Sequence, residues 1–143
     1  MVELETLAAR EEIKELRARY FRFVDGRDWQ AFGALFVSEA TLDLGDDVGR
    51  KLQGREEIVR FVEAGLKDAV SVHHGHMPEI CIASSDRATG IWAMEDRLFW
   101  PPDGSTPPRR LHGFGHYHDV YVRHERRWLF ESVSLRRIRV DTE

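Results

Sequence analysis

The chain has one cysteine, Cys81, so no disulfide can form within it. Between Ile80 and Ile82 that thiol reads as a small hydrophobe on a strand. Nowhere is there an apolar run near the roughly 20 residues that cross a bilayer as a helix. Residues 1–12 are acidic and lack the apolar centre of a secretory signal. These absences predict a cytoplasmic protein with no membrane partner. An excess of one charge is missing too: 25 acids stand against 21 bases, interspersed, for a net -4. A nucleic-acid binder would show a basic stripe. The one local candidate, Arg136-Arg137-Ile138-Arg139, is short enough to be a solvated face.

Several chemistries lack their signatures. There is no Gly-x-Ser-x-Gly elbow, and Cys81 has no activating context, so nucleophilic catalysis finds no support. Gly113-Phe114-Gly115 has neither the glycine pattern nor the strand-to-helix setting of a phosphate-cradling loop. No His-Glu-x-x-His helix or paired-cysteine motif occurs. His116 and His118, two apart on one strand face, are the only hint of a metal site, and no metal or other cofactor is expected. Proton-transfer chemistry or simple ligand binding is left.

What is present is ordinary globular material: 143 residues, 42% hydrophobic and 32% charged, enough for one domain over residues 1–143. Ile13, Leu16, Tyr20 and Phe23 recur at helical spacing within residues 7–24, and Gly26 stops that helix. Asp28 can cap a short second helix over residues 29–36, and a third is predicted over residues 55–66. Alternating patterns then predict strands at residues 40–44, 50–52, 70–76, 79–83, 89–99, 111–123 and 127–140. Ser84-Ser85-Asp86 and His124-Glu125-Arg126 are the turns, and residues 101–108 form a Pro/Gly loop. Helices followed by long strands make an α+β fold, with an antiparallel sheet that can curl against the helices around one apolar pocket.

Seven histidines are many for this length, three of them in Val72-His73-His74-Gly75-His76. In a strand His73 and His74 point to opposite faces, so at most one enters the pocket. Trp92, Met94 and Leu98 share a strand parity. Tyr20 and Asp25 flank the end of the first helix, where Asp25 before Gly26 reads on pattern alone as turn chemistry.

Arg19-Tyr20, Asp25-Gly26-x-Asp28-Trp29, Ala40-Thr41, Gly54-Arg55-Glu56-Glu57-Ile58 and the late Trp128 together resemble the SnoaL-like branch of the nuclear transport factor 2 fold. That branch includes scytalone dehydratase and polyketide cyclases, and the resemblance spans nearly the whole chain. Ile13-Lys14-Glu15-Leu16, Tyr20-Phe21-Arg22, His73-x-Gly75-His76-x-Pro78-Glu79-Ile80, Ala88-Thr89-Gly90-x-Trp92 and Glu95-Asp96-Arg97-Leu98 are similar to the bile-acid 7α-dehydratase type. The resemblance implies a cone of helices and strongly curved sheet. It implies catalytic roles for Tyr20, Asp25, His73 and Arg137. In that scheme His73 and Asp25 form a dyad, Tyr20 meets a substrate oxygen, and Arg137 holds the substrate's polar end or orients Asp25. Leu44, Trp92, Met94 and Tyr117 would line the pocket around an apolar cyclic substrate. One departure is plain: the dehydratases carry a second tyrosine on the first strand, where this chain has Leu44, and Asp43 beside it would face away. The implied activity is dehydration of a hydroxylated steroid-like or polycyclic ketone. Cyclase or ketone isomerase chemistry and a silent binding module stand beside it. The resemblance also implies a homo-oligomer, a trimer before a dimer.

Overall fold

The computed structural model describes residues 3–45 and 51–143. Helix α1 (Leu4–Asp25) leads into the short α2 (Trp29–Gly33) and strand β1 (Phe36–Asp43). Then follow β2 (Lys51–Gln53), α3 (Arg55–Leu66), β3 (Val70–Ile82), β4 (Arg87–Trp100), β5 (Arg109–His124) and β6 (Arg127–Thr142). The six strands form one sheet in the order β2-β1-β6-β5-β4-β3. This is the expected α+β arrangement with one difference, since β1 runs parallel to β6 and the sheet is mixed. The antiparallel pairs from β3 to β6 are successive hairpins. Nothing short joins β1 to β6, so their direction is not imposed by a turn.

Helix α1 buries Ala9, Ile13, Leu16, Arg17, Tyr20 and Val24, a stripe at three- and four-residue spacing. Full burial of each of its larger apolar side chains contributes about 1.5–3 kcal/mol. Arg17 belongs to that stripe, which apolar periodicity could not reveal. The helix ends with Gly26 N–H on the Arg22 carbonyl at 2.8 Å, but the left-handed residue is Arg27, at φ 59°. Asp28 then caps α2, its carboxylate accepting from Ala31 N–H at 3.1 Å.

Two boundaries differ from the pattern. The second helix stops at Gly33, and Phe36, fully buried, opens β1 instead. Residues 70–82 form one strand rather than two, because the break at Met77 (φ 26°) and Pro78 is absorbed as a register shift between His76 and Glu79. Such a proline is tolerated because β3 is an edge strand. The strand predicted at residues 50–52 lies partly outside the described residues, and its described part belongs to β2. At the β5–β6 turn Glu125 and Arg126 both take positive φ, which matches strand twist in a two-residue hairpin.

Burial alternates along β4 and β5, setting Trp92, Met94, Asp96, Tyr117, Asp119 and Tyr121 on the face toward α1. His74, His76, His112, His116 and His118 take the other parity.

Candidate active site

Asp25, the last residue of α1, meets β3 at its first turns. One carboxylate oxygen, Oδ1, lies 2.6 Å from His73 Nδ1 and accepts the Ser71 hydroxyl at 2.9 Å. The other, Oδ2, accepts His73's own backbone N–H at 2.9 Å. The helix end is thus tied to a strand 48 residues later by a carboxylate with three partners. Nδ1 faces a carboxylate, so Nε2 is the nitrogen left to exchange a proton. Phe21, one turn back on α1, stacks on the imidazole with planes 11° apart and centroids 6.2 Å apart. It can lie there because position 75 is glycine: a Cβ would stand 2.7 Å from Phe21 Cε2.

His73 is paired in register with Asp96 on β4, so both side chains share a face. Asp96 Oδ2 lies 3.9 Å from His73 Nε2. The same carboxylate takes a two-pronged hydrogen bond from Arg137 of β6, Nη1 to Oδ1 at 2.6 Å and Nη2 to Oδ2 at 2.9 Å. Strand β5 lies between them, and its residue in that row is Gly113, paired with Asp96. A Cβ at 113 would collide with the Arg137 guanidinium and the Asp96 carboxylate. Arg137 therefore acts on Asp96, where sequence reasoning placed it on Asp25 or on the substrate.

A second polar group lies deeper. Arg17, fully buried, donates from Nη2 to Asp119 Oδ1 at 2.8 Å. Asp119 Oδ2 accepts the Tyr121 hydroxyl at 2.7 Å, and that hydroxyl accepts Trp92 Nε1–H at 3.0 Å. Burial pushes the Asp119 carboxyl up, against the opposing charge of Arg17. Tyr20 and Tyr117 both lie against the guanidinium, their ring centres 4.3 and 3.6 Å from its carbon. Burial also raises both phenols, Tyr117 strongly.

The structure thus joins Asp25 and His73 directly and adds Arg137 through Asp96. Tyr20 sits in an aromatic cluster with Phe32, Phe36, Phe130 and Tyr117. Trp92 and Tyr117 are buried beside it, Met94 lies 3.9 Å from Arg137 Nη1, and Leu44 is half-buried against the core just past β1. Clefts of about 480 Å³ beside Trp128 and 450 Å³ beside Leu98 include none of Tyr20, Asp25, His73 and Arg137. Sequence reasoning missed Asp96, Ser71, Arg17 and Asp119 as members of these clusters. Asp96 had a signal: it is an acid on the same strand parity as Met94 and Leu98. Among the described residues no three His, Cys, Asp or Glu side chains are grouped to hold a metal ion. No described helix is long and apolar enough to cross a membrane.

Residues 5–134 match the family model described as the SnoaL-like domain. The chain belongs to the SnoaL-like family. A probable cyclase of Gibberella zeae is 23% identical to this member over 137 residues, covering 88% of this chain and 89% of that one. The structure of a hexachlorocyclohexane dehydrochlorinase of type 2 superposes with a TM-score of 0.85 at 17% identity, over 99% of this chain and 93% of that one. A candidate scytalone dehydratase from Novosphingobium aromaticivorans gives 0.82 at 19% identity, over 96% and 89%. At such identities the SnoaL-like structures establish the fold of this chain, and its chemistry has to be argued from its own residues.

Proposed function

We propose that this SnoaL-like protein is a cofactor-independent carbon–oxygen lyase that dehydrates a hydroxylated, steroid-like or polycyclic ketone. The observation that carries the reading is the Asp25–His73 pair at 2.6 Å, with both Asp25 oxygens engaged and Nε2 left facing Asp96. Such an imidazole is fixed in tautomer, with Nδ1 turned to Asp25.

In the proposed reaction Nε2 takes a proton from the carbon next to an enone. The carbon–hydrogen electron pair moves through the enone onto the carbonyl oxygen as a dienolate. The dienolate re-forms the carbonyl and leaves a new double bond as the carbon–oxygen bond breaks. The departing hydroxide takes the proton from the imidazolium and leaves as water. Asp96, held by Arg137, faces the nitrogen that becomes charged and steadies it. Names among the relatives, cyclase, dehydrochlorinase and scytalone dehydratase, support reactions on small cyclic molecules. Cyclase or isomerase chemistry would use the same base on another ketone. Leu44 favours a second reading, a silent binding module, since it leaves the first strand without a phenol.

The test is ultraviolet absorbance of a 7-hydroxy-3-oxo-4-ene steroid incubated with wild type and with His73→Ala. A red-shifted dienone is expected with wild type alone. Tight steroid binding without absorbance change would overturn the lyase reading in favour of the binding module.

A further inference from the structure

We propose that Arg17 is a positioning residue that sets the phenols of Tyr20 and Tyr117 as the hydrogen-bond donors for an oxyanion developing on the substrate, a role that rests on the proton-abstracting reading above. The first observation is an oddity of burial. Arg17 is fully enclosed, and its Nε and Nη1 have no hydrogen-bond partner among the described residues. They sit instead among ring faces: besides Tyr20 and Tyr117, Phe130 and Phe21 lie with centres 5.1 and 5.2 Å from the guanidinium carbon. Burying a charge with unmatched donors is costly, and an apolar side chain of similar volume would remove that cost. A residue kept there for packing alone would not be an arginine.

The second observation concerns the three tyrosines. Tyr121 gives its proton to Asp119. Tyr20 and Tyr117 donate to no described residue, which leaves their hydroxyl protons without an acceptor among these residues. They neighbour Arg17 directly and the His73 group through Phe21. Phe21, stacked on His73, lies 5.9 Å from Tyr117 and 5.9 Å from Tyr20. The charge of Asp96 reaches both phenols, and that of Arg137 reaches Tyr117.

A cation held against a phenol ring withdraws electron density and makes its O–H a stronger donor. Asp119 fixes the guanidinium in that place, and Tyr121, itself held by Trp92 Nε1–H, takes up the second Asp119 oxygen. Charge balance then defines the ligand class. Arg17 is matched by Asp119 and Arg137 by Asp96, and protonated His73 would be matched by Asp25. The ligand that fits is uncharged before reaction, with a carbonyl oxygen that gains charge at the phenols as His73 takes a proton.

The test uses 6-cyano-2-naphthol, a neutral mimic of the enol whose ionised form absorbs at longer wavelength. Bound to wild type, it is expected to ionise at a pH at least about one unit below the free probe, a tenfold change in acidity. Arg17→Met and Tyr117→Phe should each lose most of that shift, and the double variant should lose little more. Asp119→Asn should move the ionisation to still lower pH, because the guanidinium then acts unopposed. If Arg17→Met does not fold, Arg17→Lys, which keeps the charge, should keep much of the shift, and Asp119→Asn supplies the opposite sign. A merely structural pair predicts that Arg17→Met and Asp119→Asn weaken the shift together. That result, or a wild type that does not bind or ionise the probe, overturns the proposal. The probe has no leaving group, so a shift without turnover of any ketone would overturn the lyase reading and leave the oxyanion site standing.

Discussion

At Asp25 a single carboxylate accepts from the Ser71 hydroxyl and the His73 backbone and holds the His73 ring nitrogen. Two of those contacts orient the acid and the third puts it to use, so two substitutions should separate the roles. Asp25→Asn keeps the size but presents an amide that cannot favour an imidazolium. Turnover of the substrate is expected to fall by roughly a hundred- to ten-thousand-fold, the range an acid/base group contributes. Ser71→Ala removes one donor of the set and should cost no more than about tenfold, in line with about 1 kcal/mol for one hydrogen bond. Steady-state kinetics of the two variants on the same substrate would decide. Equal losses would mean that Asp25 serves as a structural tie and nothing else. On sequence pattern alone Asp25 was a turn residue, and His73 was one of seven histidines. Only the family resemblance singled them out, because the pairing of α1 with β3 is a contact across 48 residues that no local pattern encodes.

Strand β5 shows what an element contributes beyond its side chains. Its Gly113 leaves a gap through which Arg137 of β6 reaches Asp96 of β4. Gly113→Ala puts a methyl group where guanidinium and carboxylate meet. We expect the Asp96–Arg137 pair to part, with a loss of stability of about 1–3 kcal/mol from overpacking. The activity loss should match that of Arg137→Met, and adding the second change to the first should cost little more. Urea unfolding and kinetics of the two single variants and the double variant would measure this. Additive losses would show that the glycine and the ion pair act apart. The strands themselves were legible, because alternation in β4 and β5 follows directly from one buried face. The sites crossing them were not. On pattern alone Arg137 reads as part of a basic run; the resemblance gives it a catalytic role, but its partner Asp96 emerges only once three strands are in register.

Over the whole molecule the helix–strand order, the hairpins and the Pro-rich loop were all readable, since each rests on local turn chemistry or periodicity. The parallel pairing of β1 with β6 was not, because it joins distant segments without a short connection. Division of the histidines between the two sheet faces followed in outline from strand parity: His73 faces inward and five others take the outer parity. That division bears on stability toward acid. Partial burial, with Arg136 and His116 nearby, lowers His118 below its usual 6.5. The unfolded chain therefore binds this proton more readily than the folded one, and stability rises with pH across that window. The contribution is present above about pH 6.5 and is lost as the pH falls through the lowered folded value. Glu95 adds a second step below it, since the hydrogen bond from His112, with the nearby charges, holds its carboxyl below the usual 4.5. Its share of stability is lost as pH falls through that lowered value. Thermal unfolding from pH 8 to pH 5 should show a falling Tm in wild type and a shallower fall in His118→Gln, which cannot take up the proton. If the two profiles run parallel, the acid sensitivity of this fold arises elsewhere than at His118.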